Sequence, residues 1–252
     1  MKNKIIISVI ILIFSILILF FYLPNQYVVP VLVYHRIGEP ADGLTVSAET
    51  FEKQIKHLKQ NNYKIWSLYD YIEYTKNIPA RNIPRKSVVI TFDDGCKSIA
   101  DYAYPVILQH KAPITIFVIS GFINNISYIG KEKLKELHES GLVIIGSHTV
   151  HHMALTDLTA QEVKYQVKTS KSDLESILDT KIDFFCYPFG AFNEDIKNEV
   201  KKAGYMLACA TKVRGKRADI FSVRRIKITE RNKIGPSFRI KLSGYYNFLK
   251  RR

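Results

Sequence analysis

One stretch of the chain decides the fold: Ser87-Val88-Val89-Ile90-Thr91-Phe92-Asp93-Asp94-Gly95. This apolar, largely β-branched run between Pro84 and Gly95 predicts a buried strand. Two adjacent carboxylates end the run, and like charges on neighbouring residues repel unless a cation or hydrogen bonds separate them. A helix N-cap would explain one of the two acids, because Asp favours that position and a helical pattern follows. The other acid predicts a charged partner at the end of this strand.

Strands and helices alternate along the rest of the chain. Between the strand patterns, apolar residues fall at helical spacing after the capping residues Ser47, Ser67, Thr159 and Asn193. An α/β fold with a parallel sheet follows, and the number of strands favours a (β/α) barrel of about seven strands over an open doubly wound sheet. The strand patterns lie at residues 27–35, 64–66, 87–92, 114–118, 142–145, 184–187, 205–211 and 221–228.

The N-terminus has a different pattern. Lys2 and Lys4 precede an uncharged apolar run at residues 5–23, whose nineteen residues would span roughly 28 Å as a helix. A cleavable signal peptide has a shorter apolar region and a small-residue cleavage site, which residues 20–24 do not supply. The pattern therefore predicts an N-terminal transmembrane helix, with a membrane anchor at residues 1–24 and a folded domain at 25–252. The positive-inside rule then predicts a single-pass cell-membrane protein with its domain outside the cell.

The net charge of +14 comes entirely from the C-terminal region. Residues 1–196 carry 20 basic and 20 acidic side chains, whereas residues 197–252 carry 17 and 3. Such a region either binds an anionic surface, such as lipid head groups or a phosphate-bearing envelope polymer, or is a solvated face. Nucleic acid is not an expected partner, because no nucleic-acid-binding module occurs. Fourteen of the 17 basic side chains would form this basic surface: Lys212, Arg214, Lys216, Arg217, Arg224, Arg225, Lys227, Arg231, Lys233, Arg239, Lys241, Lys250, Arg251 and Arg252.

The three cysteines, Cys96, Cys186 and Cys209, are odd in number and show no Cys-x-x-Cys spacing. Neither a disulfide framework nor a thiolate metal site is therefore indicated. We expect them to be small buried side chains.

A polar cluster ends a second predicted strand. His148-Thr149-Val150-His151-His152 offers two imidazoles four residues apart, which on a helical turn would face one side and bind one ion. In a barrel the reacting residues lie at the C-terminal ends of strands, where Asp93, Asp94, His148 and His35 fall. Two imidazoles and one carboxylate leave one position for water, as in hydrolytic zinc sites, and the second carboxylate remains as a base. A solvated histidine loop is the alternative.

These two clusters resemble known motifs. The segments 91–95 and 148–152 resemble the first two motifs of the polysaccharide deacetylases, the NodB-homology or carbohydrate esterase family 4 enzymes. A third family motif, Arg-x-x-Pro-(Tyr/Phe)-Gly, resembles residues 185–190, with Phe185 in place of the arginine. In the family that arginine orients the catalytic carboxylate, so a substitute would have to come from Arg36, Arg224 or Arg225. The resemblance covers about residues 28–228 and implies a distorted (β/α) barrel that deacetylates extracellular N-acetylated glycans.

The late Leu-x-His motif of the family is also missing, since no histidine follows His152. His35, within residues 31–37, resembles the early histidine of a circularly permuted subgroup that includes the bacterial deacetylases of poly-β-1,6-N-acetylglucosamine. That subgroup also carries a Phe-x-Tyr-Pro-x-Gly form of the third motif. Resemblance to this subgroup would explain both the missing third-motif arginine and the missing late histidine.

The resemblance assigns roles by position. Asp94, His148 and His152 would be the metal ligands, with zinc as the expected ion, although such sites also take other divalent ions. Asp93 would be the base that removes a proton from the attacking water, and His35 the acid that protonates the departing amine.

The third motif would supply the substrate and oxyanion site. A backbone N–H near Phe189 would help the ion to hold the oxyanion. Tyr187 and Phe189 would either stack on a sugar ring or pack in the core. The residues concerned are Tyr187, Pro188, Phe189 and Gly190.

The function expected from this resemblance is metal-dependent N-deacetylation of an N-acetylglucosamine-containing polysaccharide, of poly-N-acetylglucosamine or peptidoglycan type, with release of acetate. One alternative is an O-acetyl esterase acting on a cell-envelope glycan. A second is a catalytically silent glycan-binding barrel, which the missing arginine and late histidine suggest. Polymer, linkage and metal stay open at this point.

Overall fold

The computed structural model describes residues 2–39, 42–211 and 219–246. The strands are β1 Val31–Tyr34, β2 Arg36–Ile37, β3 Thr45–Val46, β4 Lys64–Trp66, β5 Ser87–Phe92, β6 Ile114–Val118, β7 Val143–Ser147, β8 Phe184–Cys186, β9 Leu207–Ala210 and β10 Val223–Lys227. The α-helices are α1 Lys2–Leu17, α2 Ala48–Gln60, α3 Leu68–Asn77, α4 Tyr104–His110, α5 Lys131–Glu139, α6 Ala160–Leu178, α7 Glu194–Lys202 and α8 Pro236–Leu242.

Seven parallel strands close into a barrel. Their order is β1-β10-β9-β8-β7-β6-β5, and the pairing of β1 with β5 closes the ring. β4 pairs with the first three residues of β5, and β2 and β3 form a separate two-stranded sheet. The predicted α/β barrel of about seven strands is confirmed.

Side chains alternate between the barrel interior and the helix layer, as strand geometry requires. In β5, Val89 belongs to the interior cluster together with Val31 and Phe117. Val88 and Ile90, on the opposite face, pack in the larger cluster under the helices. Because the interior is filled by such layers, the barrel is a packed core. Within the described barrel, a site for a ligand is therefore expected at the end of the strands rather than inside.

Tyr27 closes the N-terminal end of the barrel. Its hydroxyl donates to the carbonyl oxygens of Pro84 at 3.1 Å and Arg85 at 2.8 Å, just before β5. The Arg85 guanidinium lies 4.5 Å from the Tyr27 ring centroid. Gly244 passes so close that an added Cβ would lie 2.1 Å from this ring. The opposite end, where the strands finish, is left for the polar clusters.

The predicted capping residues begin four of the helices. Ser47 accepts a hydrogen bond from the Thr50 backbone N–H at the start of α2. Ser67 and Thr159 form capping boxes at α3 and α6, and the Asn193 side chain caps α7. These helix starts could be predicted because capping depends on short, local hydrogen bonds.

The membrane anchor predicted at residues 1–24 is wrong. The apolar run does not form one continuous α-helix, because α1 ends at Leu17, a π-helix follows at Ile18–Tyr22 and a 3₁₀ turn at Leu23–Gln26. The 16 residues of α1 extend about 24 Å, short of the ~30 Å hydrocarbon core of a bilayer. Within the described part of the chain, no helix is both long and apolar enough to cross a membrane. The predicted single-pass membrane location is contradicted with it.

Part of the basic C-terminal region lies outside the described residues. This applies to the basic side chains within 212–218 and within 247–252, so its binding to an anionic polymer or lipid stays a prediction. The structure has a helix, α8, where none was predicted.

Candidate active site

The chain reverses sharply where β5 ends, and this separates the two neighbouring carboxylates. Asp94 and Gly95 have φ angles of 72° and 73°, a left-handed conformation that is uncommon outside glycine and that aspartate tolerates better than most residues. The Asp93 backbone N–H donates to the Tyr34 carbonyl at 3.0 Å, which keeps Asp93 in line with the barrel. Asp93 therefore follows Val89 and Thr91 on the interior face. The side chain of Asp94 points away from this interior face, toward His148 and His152.

Arg225 is the charged partner of Asp93. Its Nη1 and Nη2 donate to Asp93 Oδ1 and Oδ2, each at 2.6 Å. The two side chains are only 1% and 6% exposed. Nη1 also donates to Thr91 Oγ1 at 3.1 Å. This two-pronged, buried ion pair is the strongest arrangement open to an arginine and a carboxylate.

Of the three arginines considered as substitutes for the missing motif residue, Arg225 orients Asp93. It lies on β10 in register with Val31 of β1, so its side chain enters the barrel interior. Arg224 faces the other way on the same strand. The Arg36 guanidinium instead binds the Asp42 carboxylate at 2.6 Å and Thr45 Oγ1 at 3.2 Å.

The ion pair keeps both groups charged. Burial by itself would raise the pKa of Asp93, but the Arg225 guanidinium, with a smaller contribution from His148, outweighs it and holds that pKa well below its usual range. Burial lowers the pKa of Arg225, and the Asp93 carboxylate more than offsets this, so that the pKa is raised. Asp93 is therefore a carboxylate at every pH near neutrality.

Asp94 converges with two imidazoles. Nε2 of His148 lies 3.6 Å and Nε2 of His152 lies 3.5 Å from Asp94 Oδ1. The three ligand atoms all lie within 4.8 Å of one another. Atoms bound to a tetrahedral zinc ion at about 2.1 Å lie about 3.4 Å apart, so this donor set fits the ion.

His148 is prepared for ligation. Its Nδ1–H donates to the Cys186 carbonyl at 2.8 Å, which leaves Nε2 directed at Asp94. Burial is the main cause that lowers the pKa of His148 to about 4, and it also lowers that of His152. Both rings are therefore neutral near pH 7, the form that binds a metal.

The histidine segment is a tight loop rather than the predicted helical turn. Thr149 and His152 have φ angles of 69° and 55°. The His152 backbone N–H donates to Thr149 Oγ1 at 3.0 Å, and Gln166 Oε1 accepts from the backbone N–H groups of Val150 and His151. The rings of His148 and His152 still meet, with centroids 4.8 Å apart.

A second group of potential ligands, Asp93, His148 and Cys186, also lies close together. Both oxygens of Asp93 already bind Arg225. Burial raises the pKa of the Cys186 thiol well above its ordinary value, so the thiolate that a metal requires does not form readily. The Asp94–His148–His152 set is the better metal site.

His35 completes the constellation beside Asp93. It follows β1, and its Nε2 lies 3.9 Å from Asp93 Oδ2, too far for a hydrogen bond. Its side chain is 18% exposed. Nδ1 is buried and has no hydrogen-bond partner within the described residues. The sequence-predicted His35, Asp93 and metal triad are thus brought to one place.

The third motif separates into buried and exposed members. Tyr187 is 1% exposed, donates through its hydroxyl to the Phe221 carbonyl at 3.0 Å and stacks on Phe192. This arrangement favours core packing over sugar stacking for Tyr187. Phe189, with a φ of 56°, is 55% exposed, and its ring centroid lies 4.7 Å from that of His152. Pro188 and Gly190 are buried beneath it.

Sequence reasoning missed two side chains around Asp93. Thr91 Oγ1 accepts from Arg225, and Cys186 Sγ lies against the same guanidinium. The strand period of two was the available signal, because it places Thr91 on the same face as Asp93. For Cys186 there was no such signal, since only the pairing of β8 within the barrel brings it to Asp93.

Comparison with known proteins agrees with this geometry. A family model described as "Polysaccharide deacetylase" matches residues 80–208, slightly more than half of the chain. The chain belongs to the polysaccharide deacetylase family. It is thereby placed among hydrolases that act on amide bonds. The matched residues include β5 with both carboxylates, the histidine loop and the third motif.

Individual polysaccharide deacetylases show how far the similarity extends. The poly-β-1,6-N-acetyl-D-glucosamine N-deacetylase of Staphylococcus aureus is 32% identical over 182 residues, covering 64% of this chain and 59% of that enzyme. A polysaccharide deacetylase structure from Bacillus cereus is 28% identical and has a TM-score of 0.73, covering 85% of this chain and 68% of that one. IcaB from Ammonifex degensii shares the fold, with a TM-score of 0.75, 24% identity and coverage of 86% and 97%.

Metal binding should weaken as the pH falls below 6. Burial, followed by the charge of Asp93, raises the pKa of Asp94 to about 6 in the metal-free site. Below that pH an incoming ion must displace a proton, so we expect the apparent zinc Kd to rise by about tenfold per pH unit below 6 and to level off above 7. Competition titration against a zinc indicator between pH 5 and 7.5 measures this.

Two variants make the pH prediction specific to the site. Asp93→Asn removes the neighbouring negative charge and should move the fall in affinity to lower pH. Asp42→Asn, at an exposed carboxylate paired with Arg36, should leave the profile unchanged. A zinc affinity independent of pH between 5 and 7 would contradict the ligand role of Asp94.

Proposed function

We propose that the chain is a metal-dependent N-deacetylase of an N-acetylglucosamine-containing polysaccharide, of poly-N-acetylglucosamine or peptidoglycan type, which releases acetate. One observation carries this proposal: the ionised carboxylate of Asp93 lies within 4.8 Å of His148 in the Asp94–His148–His152 triad and 3.9 Å from Nε2 of His35. A base, a metal site and an acid at one end of the barrel are what amide hydrolysis requires. The staphylococcal relative is named as an N-deacetylase of poly-β-1,6-N-acetyl-D-glucosamine, which supports a polymer of N-acetylglucosamine as the substrate.

The triad would hold the metal ion. Two imidazoles and one carboxylate with an open fourth position are typical of hydrolytic zinc, and other divalent ions also bind such sets. When bound, the ion would supply a Lewis acid that lowers the pKa of water and polarises the acetyl carbonyl.

Asp93 would accept the proton of the attacking water. Arg225 keeps the carboxylate in its accepting form and fixes both oxygens. Because the same arginine depresses the pKa of Asp93, the carboxylate holds a transferred proton weakly. That proton can then replace the one that His35 gives to the departing amine. Oδ2 is the oxygen nearer to His35, at 3.9 Å from Nε2.

His35 would protonate the departing amine. An amine is a poor leaving group until it is protonated, and an imidazole is an acid of suitable strength near neutral pH. The exposed Phe189 ring at the edge of the site would contact a sugar ring. A backbone N–H near Phe189 would assist the ion in stabilising the oxyanion.

The acid role of His35 can be isolated with two substrates. His35→Ala should lower kcat on an N-acetylglucosamine oligomer by about a hundredfold, the lower end of the general-acid range. It should change kcat on 4-nitrophenyl acetate by less than about threefold, because a phenolate leaves without protonation. His110→Ala, on the outer helix α4, is the matched control and should leave both rates unchanged. An equal loss on both substrates would show that His35 is not the acid.

Acetate release from a panel of polymers tests the proposed function. Purified protein with zinc should release acetate from β-1,6-linked N-acetylglucosamine oligomers or peptidoglycan, and much less from an O-acetylated xylan. Preference for the O-acetylated polymer would identify an esterase. Glycan affinity without acetate release from any of the three would identify a silent binding barrel.

A further inference from the structure

The thiol of Cys186 contacts both members of the buried ion pair. Arg225 Nη2 donates to Cys186 Sγ at 2.9 Å, and Sγ lies 3.7 Å from Asp93 Oδ1. The side chain is fully buried in the barrel interior, at the end of β8. The sulfur of Cys186 therefore contacts both charges from within the barrel interior.

The thiol proton has two acceptors within reach. These are Asp93 Oδ1 and the Tyr187 carbonyl, each 3.7 Å from the sulfur. The carboxylate is the stronger acceptor because it is charged. The S–H of a cysteine is a weak donor, and Asp93 Oδ1 is the charged acceptor that it can reach. Cys186 accepts from Arg225 and donates to Asp93, which closes a ring of three side chains.

This ring makes the two oxygens of Asp93 unequal. Oδ1 receives Arg225 Nη1 and the thiol, whereas Oδ2 receives Arg225 Nη2 and faces His35 at 3.9 Å. Rotation of the carboxylate would break the contact to sulfur. The thiol therefore helps to hold Oδ2 as the oxygen that is turned toward the reacting groups.

The backbone of Cys186 acts on the metal site at the same time. Its carbonyl accepts the hydrogen bond from His148 Nδ1 at 2.8 Å. Truncation of the side chain leaves this carbonyl in place. A variant at residue 186 can therefore separate an effect on Asp93 from an effect on the metal ligands.

We propose that Cys186 is a positioning residue, whose thiol fixes the Asp93 carboxylate with Oδ2 toward the attacking water and His35. This inference rests on the function proposed above and adds Cys186 as a positioning residue for the general base, Asp93. It predicts a change in the rate of the chemical step without a change in substrate or metal binding.

The test compares Cys186→Ala with Cys186→Ser and with Cys209→Ala. Cys209 is the register partner of Cys186 on β9, and it is fully buried in the same interior cluster. We expect Cys186→Ala to lower kcat about tenfold, the effect of one hydrogen bond to a charged group, with KM and zinc Kd within about twofold. The serine variant, which keeps a donor, should recover kcat to within about threefold, and Cys209→Ala should stay within about twofold of wild type.

A double-mutant cycle distinguishes positioning from a general loss of packing. In an Asp93→Asn background, Cys186→Ala should have no further effect on the residual rate with 4-nitrophenyl acetate, because both changes act through one group. Equal losses in both backgrounds would overturn the proposal, and so would wild-type kcat in Cys186→Ala or a matching loss in Cys209→Ala.

The same cycle on urea unfolding of the metal-free chain gives a readout that needs no activity. Cys186→Ala should shift the unfolding midpoint more in the wild-type background than in the Asp93→Asn background. Equal shifts in the two backgrounds would show that the thiol and Asp93 are not coupled. If wild type releases no acetate, the proposed function fails, and this unfolding cycle still decides whether the thiol and Asp93 are coupled.

Discussion

Asp93→Asn is expected to lower kcat for acetate release by about a thousandfold, within the range for loss of a general base. Asparagine has nearly the same shape but cannot accept the proton of the attacking water. The triad is left chemically intact, since its ligands are Asp94, His148 and His152. Zinc binding at pH 7.5 should therefore persist, and the loss should appear in kcat rather than in metal content.

The control for this variant must account for the ion pair. The substitution Asp93→Asn leaves the buried Arg225 without its countercharge, so activity is compared at a temperature where circular dichroism shows the variant to be folded. Asp42→Asn is the matched control, because Asp42 also pairs with an arginine at 2.6 Å but is half exposed. It should keep at least half of the activity. An Asp93→Asn enzyme that retains more than a tenth of wild-type kcat would contradict the assigned base.

Arg225→Met should cost about 3–5 kcal/mol of unfolding free energy at pH 7, because it leaves a buried carboxylate without its partner. The Asp93 pKa, now raised by burial, should move above its value in the unfolded chain. The folded variant then binds the extra proton as the pH falls, so its deficit relative to wild type should shrink between pH 7 and pH 4. In wild type the unfolding free energy changes with pH in the opposite direction. Because the pKa of Asp93 is depressed in the folded protein, the stabilisation that it provides is lost as the pH falls below about 4.

Urea unfolding at pH 7 and at pH 5 measures this prediction. Arg224→Met is the matched control, because Arg224 lies next to Arg225 on the same strand but faces away from the interior. It should change the unfolding free energy by less than about 0.5 kcal/mol. An Arg225→Met protein as stable as wild type at pH 7 would contradict the structural role of the ion pair.

The barrel could be predicted because its signals are local. Apolar runs of strand length, helical spacing and capping residues each depend on a few neighbouring residues. Placing the polar clusters at strand ends then brought Asp93, Asp94, His148 and His35 together, because the carboxyl ends of parallel strands meet at one end of a barrel.

The orienting arginine could not be chosen from the sequence. Arg225 is 132 positions from Asp93, and Arg224 and Arg225 are equally close along the chain. Only the register of β10 on β1, which pairs Arg225 with Val31, decides which of them enters the interior. The contact of Cys186 with this pair depends on the same long-range pairings.

The errors at the N-terminus and in the histidine loop have a common cause. Apolar composition and residue spacing indicate which residues can lie on one face, but they do not determine the backbone hydrogen-bond pattern. The run after Leu17 changes to π and 3₁₀ geometry, which ends the α-helix that was predicted to continue. His148 and His152 converge through left-handed residues at 149 and 152 instead of through a helical turn.

The measurement that tests the central claim most directly is zinc-dependent acetate release by the full chain. Protein stripped of metal by a chelator, with its metal content checked by mass spectrometry, is titrated with zinc while acetate release from a β-1,6-linked N-acetylglucosamine oligomer is followed. We predict no release without metal and full activity at one equivalent of zinc, whereas Asp94→Asn should stay inactive at that ratio. Full activity of the stripped protein in excess chelator would contradict the account.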